Sequence, residues 1–173
     1  MNTYPEFRSF FEDVSRKLLL LGREPGMVNL FFAEGPENAS VLVSALRNKL
    51  TLPCLLVEFP DEDNENGESP AKVLNSSFVV LDQKNSRDKA DNIEKIIYSR
   101  CRPAAEQIFA YMRQKTDRME LKLGGKTVSL VGTSHGTWVG PIDSNLYGWL
   151  INFEWRIAAG VCVNRDSWEE STP

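Results

Sequence analysis

Apolar residues recur at every second position near the end of the chain: Trp149, Ile151, Phe153, Trp155 and Ile157, with Asn152, Glu154 and Arg156 between them. A period of two places the first set on one face of an extended chain and the second on the other, which predicts a half-buried β-strand over 147–158. At the other end, Phe7, Phe10, Phe11, Val14, Leu18 and Leu21 follow helical spacing, and Gly22 stands where a C-cap would. The stretch 4–21 therefore reads as an amphipathic helix. "MVNLFFAEG" (27–35) reads as a short edge strand, and Pro36 opens a second helix with Leu42, Ala45, Leu46 and Leu50 on one face. "CLLVEF" (54–59), an unbroken apolar run between two prolines, predicts a buried strand.

The middle of the chain alternates between strongly polar and strongly apolar text. "PDEDNENGESP" (60–70) has five acids, no apolar residue and a proline at each end, so it predicts a mobile loop whose burial would not offset its ordering entropy. Residues 72–83 resume as a strand around Phe78, Val79, Val80 and Leu81. A long helical stripe follows through Ile93, Ile96, Ile97, Cys101, Ala104, Ile108 and Met112. Pro103 interrupts it, so a kink or break is expected near Ser99 to Arg102. "MELKLGGKTVSL" (119–130) alternates on both sides of Gly124-Gly125, a two-residue hairpin signal. Short connections between consecutive strands predict an α+β fold, one domain over 1–173: a mostly antiparallel sheet with helices packed on one face.

Composition narrows the function more than the fold. Hydrophobic residues at 42% and charged residues at 25% are ordinary for a soluble globular domain. A net charge of −4, with no run of Lys and Arg, argues against a nucleic-acid partner. The longest apolar run, Leu18 to Leu21, is far shorter than the roughly 20 residues of a membrane span. The first residues lack the layout of a secretory signal, so a soluble, cytoplasmic protein is expected. Cys54, Cys101 and Cys162 have neither metal-ligand nor redox spacing and read as buried free thiols.

Candidate chemistry is thin. His135, the single histidine, follows Ser134 in "GTSHGTWVG", but adjacent residues on an extended segment point apart, and no G-x-S-x-G elbow occurs. His135 reads as a polar turn residue, and Gly132, Gly136 and Gly140 as punctuation between strands. Asp61, Glu62, Asp63, Glu65 and Glu68 lack both the EF-hand spacing and partners that would split their pKa values, so neither calcium binding nor acid–base work follows. Trp138, Trp149, Trp155 and Trp168 lack the interleaved basic residues of a stacking platform, which leaves core or subunit contact. No catalytic, metal or cofactor-binding residue is assigned.

Read together, "LPCLLVEFP", the run "SSFVVLDQKNSRDKADNIEKIIYSRCRPAAEQIFAYM" and the closing "NLYGWLINFEWRI" resemble the tail-terminator and tail-completion proteins of tailed bacteriophages and prophages. The resemblance is one of layout across nearly the whole chain. It implies a structural subunit with no catalytic residues, forming a ring with copies of itself against tail-tube or head–tail connector proteins, in the host cytoplasm and in the assembled particle. Asn152, Glu154 and Arg156, opposite the apolar face of the last strand, are the candidate subunit interface. The alternatives are an interaction module of another assembly and a small enzyme using His135. An enzyme should show convergent polar groups in a pocket, whereas a ring subunit should show extended interfaces.

Overall fold

The computed structural model describes residues 4–22, 28–33, 51–85, 92–142 and 145–159. The expected helix from Pro36 to Leu50 lies outside the described residues, as do Cys162 and Trp168. In chain order the described elements begin with helix α1 (Tyr4–Lys17), a 3-10 turn (Leu19–Leu21) and strands β1 (Leu30–Ala33), β2 (Cys54–Glu58), β3 (Asp61–Glu65) and β4 (Ala71–Gln83). A π-helical segment (Lys95–Cys101) then runs into α2 (Arg102–Asp117), followed by β5 (Lys122–Leu123), β6 (Lys126–Ile142) and β7 (Leu146–Ala158).

The strands form one mixed sheet in the order β1-β2-β4-β7-β6-β5, with β3 added to β4. Only β1–β2 is parallel; the other pairings are antiparallel. The fold is α+β, as the patterning predicts. β7 is a central strand, paired with β4 from Ala71↔Ala158 to Gln83↔Leu146 and with β6 on its other side.

The alternation of β7 decides where the core sits. Ile151, Phe153, Trp155 and Ile157 are buried under the helices. Trp155, fully buried, lies between Leu74 of β4 and Leu130 of β6, its register partners. The rings of Phe7, Phe10 and Phe11 on α1 pack over it at centroid distances of 5.4, 5.4 and 6.2 Å. Their spacing on one helix stripe is what delivers three rings to a single indole. Each such burial contributes about 1.5–3 kcal/mol. Trp155 Nε1 is buried with no hydrogen-bond partner among the described residues, so this site is held by packing alone.

A second apolar cluster, Cys54, Leu56, Val79, Leu81 and Leu146, lies on the opposite face of the sheet. Phe78 to Leu81 are consecutively buried because even and odd positions of β4 both meet apolar neighbours there. Among the described residues no helix is long and apolar enough to cross a membrane.

Two expectations need correction. Residues 61–65 are not a loop: β3 pairs in register with β4, from Asp61↔Asn75 to Glu65↔Ala71. It extends the edge that β2 begins on β4, with Phe59 and the buried Pro60 between them. All five residues of β3 are exposed, so the strand needs no apolar face; its ladder and side-chain partners hold it. Only 66–70 remains irregular.

The kink or break expected near Ser99 to Arg102 takes the form of a π segment there, without a break in the helix. Arg102 N–H donates to the Ile97 carbonyl, and the helix then continues to Asp117. A proline ring collides with the carbonyl four residues back in a regular α-helix, and a π-turn shifts that register.

The second correction concerns β6. The turn at Gly124-Gly125 has φ of 56° and 74°, as a two-residue hairpin requires. The strand that follows, however, runs 17 residues and contains all three glycines read as punctuation. Gly132 (φ 68°) and Gly140 (φ 131°) lie at register shifts between Val131 and His135 and between Val139 and Ile142. Left-handed backbone at a glycine lets a strand bulge and continue.

Candidate assembly surface

Asn152, Glu154 and Arg156 lie on the face of β7 turned away from the helices, as expected, yet they are not equally available. Arg156 Nε donates to Glu65 Oε2 at 2.8 Å and its Nη2 to the Ser69 carbonyl at 3.4 Å, so its charge is engaged within the chain. The Glu154 carboxylate lies over Gly132, where a Cβ would fall 2.5 Å from its Oε2. Asn152 is exposed, between Ser77 of β4 and His135 of β6.

His135 is a mid-strand residue on β6, not a turn residue. It is exposed, and its imidazole has no hydrogen-bond partner among the described residues. The acids at 61–65 alternate across β3: Asp61, Asp63 and Glu65 share the face of Asn75 and Val73, and Glu62 points the other way toward Lys72. Asp63 accepts from Asn75 Nδ2 at 2.7 Å. Among the described residues no group of three His, Cys, Asp or Glu side chains could hold a metal ion.

Cys54 and Cys101 are buried and free. Burial, reinforced by the negative charge of Asp82, pushes both thiols up to about 12. Neutral at ordinary pH, they are packing groups and not nucleophiles. Asp82, nearly buried, is matched by Arg100 of the π segment at 3.1 Å.

The most distinctive surface is the outer edge of β6. On one side β6 pairs with β7; on the other, β5 covers only Lys126 and Thr127, and Val128 N–H reaches the Leu121 carbonyl. From Ser129 to Ile142 that edge has no strand partner among the described residues, and no residue in the stretch is buried. The whole strand holds no acid; Lys126 and His135 are its only ionisable side chains.

Beside this edge lies an aromatic surface on the helix side, with charges of both signs: Arg102 is paired with Glu106 at 2.6 Å, and Asp117 lines the same groove as Arg113. Gly136 leaves room for the indole of Trp149, where a Cβ would stand 2.9 Å from Nε1. Trp138, 53% exposed, is the register partner of Trp149. Tyr98 packs on Trp149 at 5.8 Å, and the Arg102 guanidinium sits over the same ring at 5.1 Å. Tyr98 and Arg102, four residues apart on one helical side, both reach this ring. A groove of about 440 Å³ continues the surface along α2 past Phe109, Arg113 and Ile151. Trp, Tyr and Arg are the residues on which interfaces concentrate their binding energy. Sequence reasoning missed this edge, although "KTVSLVGTSHGTWVG" is rich in the β-branched residues that would have extended the strand.

Compared with known proteins, the chain matches no family model and no curated protein.

Proposed function

We propose that this chain is a structural subunit of a larger assembly, a tail-terminator or tail-completion protein that forms a ring at the end of a phage-like tail tube. One observation carries the assembly reading: the acid-free outer edge of β6 from Ser129 to Ile142, without a strand partner among the described residues, with Trp138, Trp149, Tyr98 and Arg102 beside it. An open edge of that length invites pairing with another chain, and proteins that do not use such an edge blunt it with charge. β3 is blunted in that way; β6 is interrupted by bulges at Gly132 and Gly140 and by Pro141, but between them His135 to Val139 forms a regular stretch without acids. The tail-end location rests on the likeness of layout alone. The proposed partners are copies of the chain and tail-tube or connector proteins, met in the host cytoplasm and retained in the particle.

Sedimentation velocity over a concentration series, with and without an assembled phage tail tube, tests the proposal. Oligomers that form or sharpen on tube ends support it. Oligomers indifferent to the tube favour an interaction module of another assembly. A monomer at every concentration that ignores the tube contradicts both.

A further inference from the structure

We infer that copies of this chain join head to tail, with β3 of one copy pairing along the open edge of β6 in the next. The inference rests on the assembly reading above and names the surfaces it would use.

The two edges differ in character. β3 carries Asp61, Glu62, Asp63 and Glu65 in five exposed residues, and only its inner edge, against β4, has a strand partner among the described residues. β6 offers an edge without acids; on the helix side Arg102, paired with Glu106 at 2.6 Å, and the groove cations Arg113 and Arg118 outnumber the acids Glu106 and Asp117, and His135 stands on the outer face. Pairing β3 with β3 would oppose four carboxylates to four, and like charges so placed disfavour association. Pairing β6 with β6 would close a two-fold dimer and leave both acidic edges unused. β1 is a further edge, paired only with β2, but its four half-buried residues make it short, and short edge strands are poor templates for pairing. Of the pairings between β3 and β6, only the mixed one uses both strands of every copy. Such a contact is heterologous, and heterologous contacts repeat into a ring where the rotation closes.

Length agrees as well. Between its two bulges β6 keeps regular register from His135↔Asn152 to Val139↔Gly148. That regular run matches the five residues of β3, Asp61–Glu65. With the centres aligned, Asp63 lies opposite Thr137. Asp61, Asp63 and Glu65 would then share the outer face with His135 and Thr137, while Glu62, paired with Lys72 in its own copy, would face the helix side.

Disulfide trapping tests this directly. In a Cys162→Ser background, Asp63→Cys and Thr137→Cys are introduced into separate chains; Cys54 and Cys101 are buried and stay silent. The two variants are mixed in equal amounts at high concentration, with and without the tail tube, and oxidised mildly. The 63–137 link is expected to exceed either same-site link about tenfold, as charge complementarity requires. A link no more frequent than that formed with Lys17→Cys on α1, or a predominance of 137–137, overturns the inference. Sedimentation of the unmodified protein separates the two failures. Oligomers without the 63–137 link sink the head-to-tail contact and spare the assembly reading; a monomer that ignores the tube sinks both.

Discussion

Arg156 on β7 reaches across β4 to Glu65 on β3, Nε to Oε2 at 2.8 Å, and so ties an edge strand to the middle of the sheet. A residue that the resemblance to tail-terminator proteins assigns to a subunit contact is thereby engaged inside its own chain. The same contact shows why an acidic stretch without apolar residues is held in place. Lys72 and Asn75 on β4 and Arg156 on β7 receive Glu62, Asp63 and Glu65.

Deleting 62–68 and bridging the gap with glycines is therefore expected to cost stability. Exposed ion pairs contribute little, under about 1 kcal/mol each. The lost β3–β4 ladder matters more, at roughly 0.5–1.5 kcal/mol per hydrogen bond before the loop entropy it releases. A net loss of about 2 kcal/mol in urea unfolding is expected, with Arg156→Ala alone below about 1 kcal/mol. An unchanged midpoint for the deletion would mean that β3 is held too weakly to count as part of the sheet.

Phe153 is 3% exposed, on the central strand, between Phe11, Phe78 and Trp155. Phe153→Ala should lower the unfolding free energy by roughly 3–5 kcal/mol, because the rings around the vacated space are held by one another and collapse poorly. A loss below about 1 kcal/mol would place Phe153 outside the packed layer.

The thiols give a pH dependence of definite sign. Burial raises Cys54 and Cys101 from the ordinary 9.0 to about 12. Below pH 9 both states keep the proton and the preference for the folded state is fully present. As pH rises from 9 toward 12 the unfolded thiols ionise first, so stability falls through that window. In the Cys162→Ser protein, iodoacetamide at pH 8 should leave both thiols unmodified until denaturant is added. Labelling of the native protein at the rate of a free thiol would contradict their burial.

What the sequence disclosed, and what it hid, divides along one physical line. The packing of α1 and β7 was legible because one-sided burial writes a period into the text: Phe7, Phe10 and Phe11 at helical spacing, Ile151 to Ile157 at strand spacing. β3 was hidden because a strand exposed on both faces has no such period, and its acids imitate a loop. The length of β6 was hidden for a related reason. Gly132 and Gly140 mark turns in most sequences, and here they mark bulges inside a strand whose residues past Val128 are nowhere buried. The candidate interface was half legible: Asn152, Glu154 and Arg156 face the side expected of them, but the open edge lies one strand further out. Nothing in single-strand periodicity reports whether a neighbouring strand is paired on its far side.

The most direct test of the assembly account is amide hydrogen exchange along β6, measured on dilute protein and on the protein assembled at high concentration or on tube ends. In the dilute protein the outward-facing amides between Ser129 and Ile142 should exchange quickly, while those bonded to β7 stay protected. On assembly the outward set should become protected, most clearly from His135 to Val139. Oligomers that form while those amides keep exchanging at the dilute rate would contradict the claim that this edge is where subunits meet.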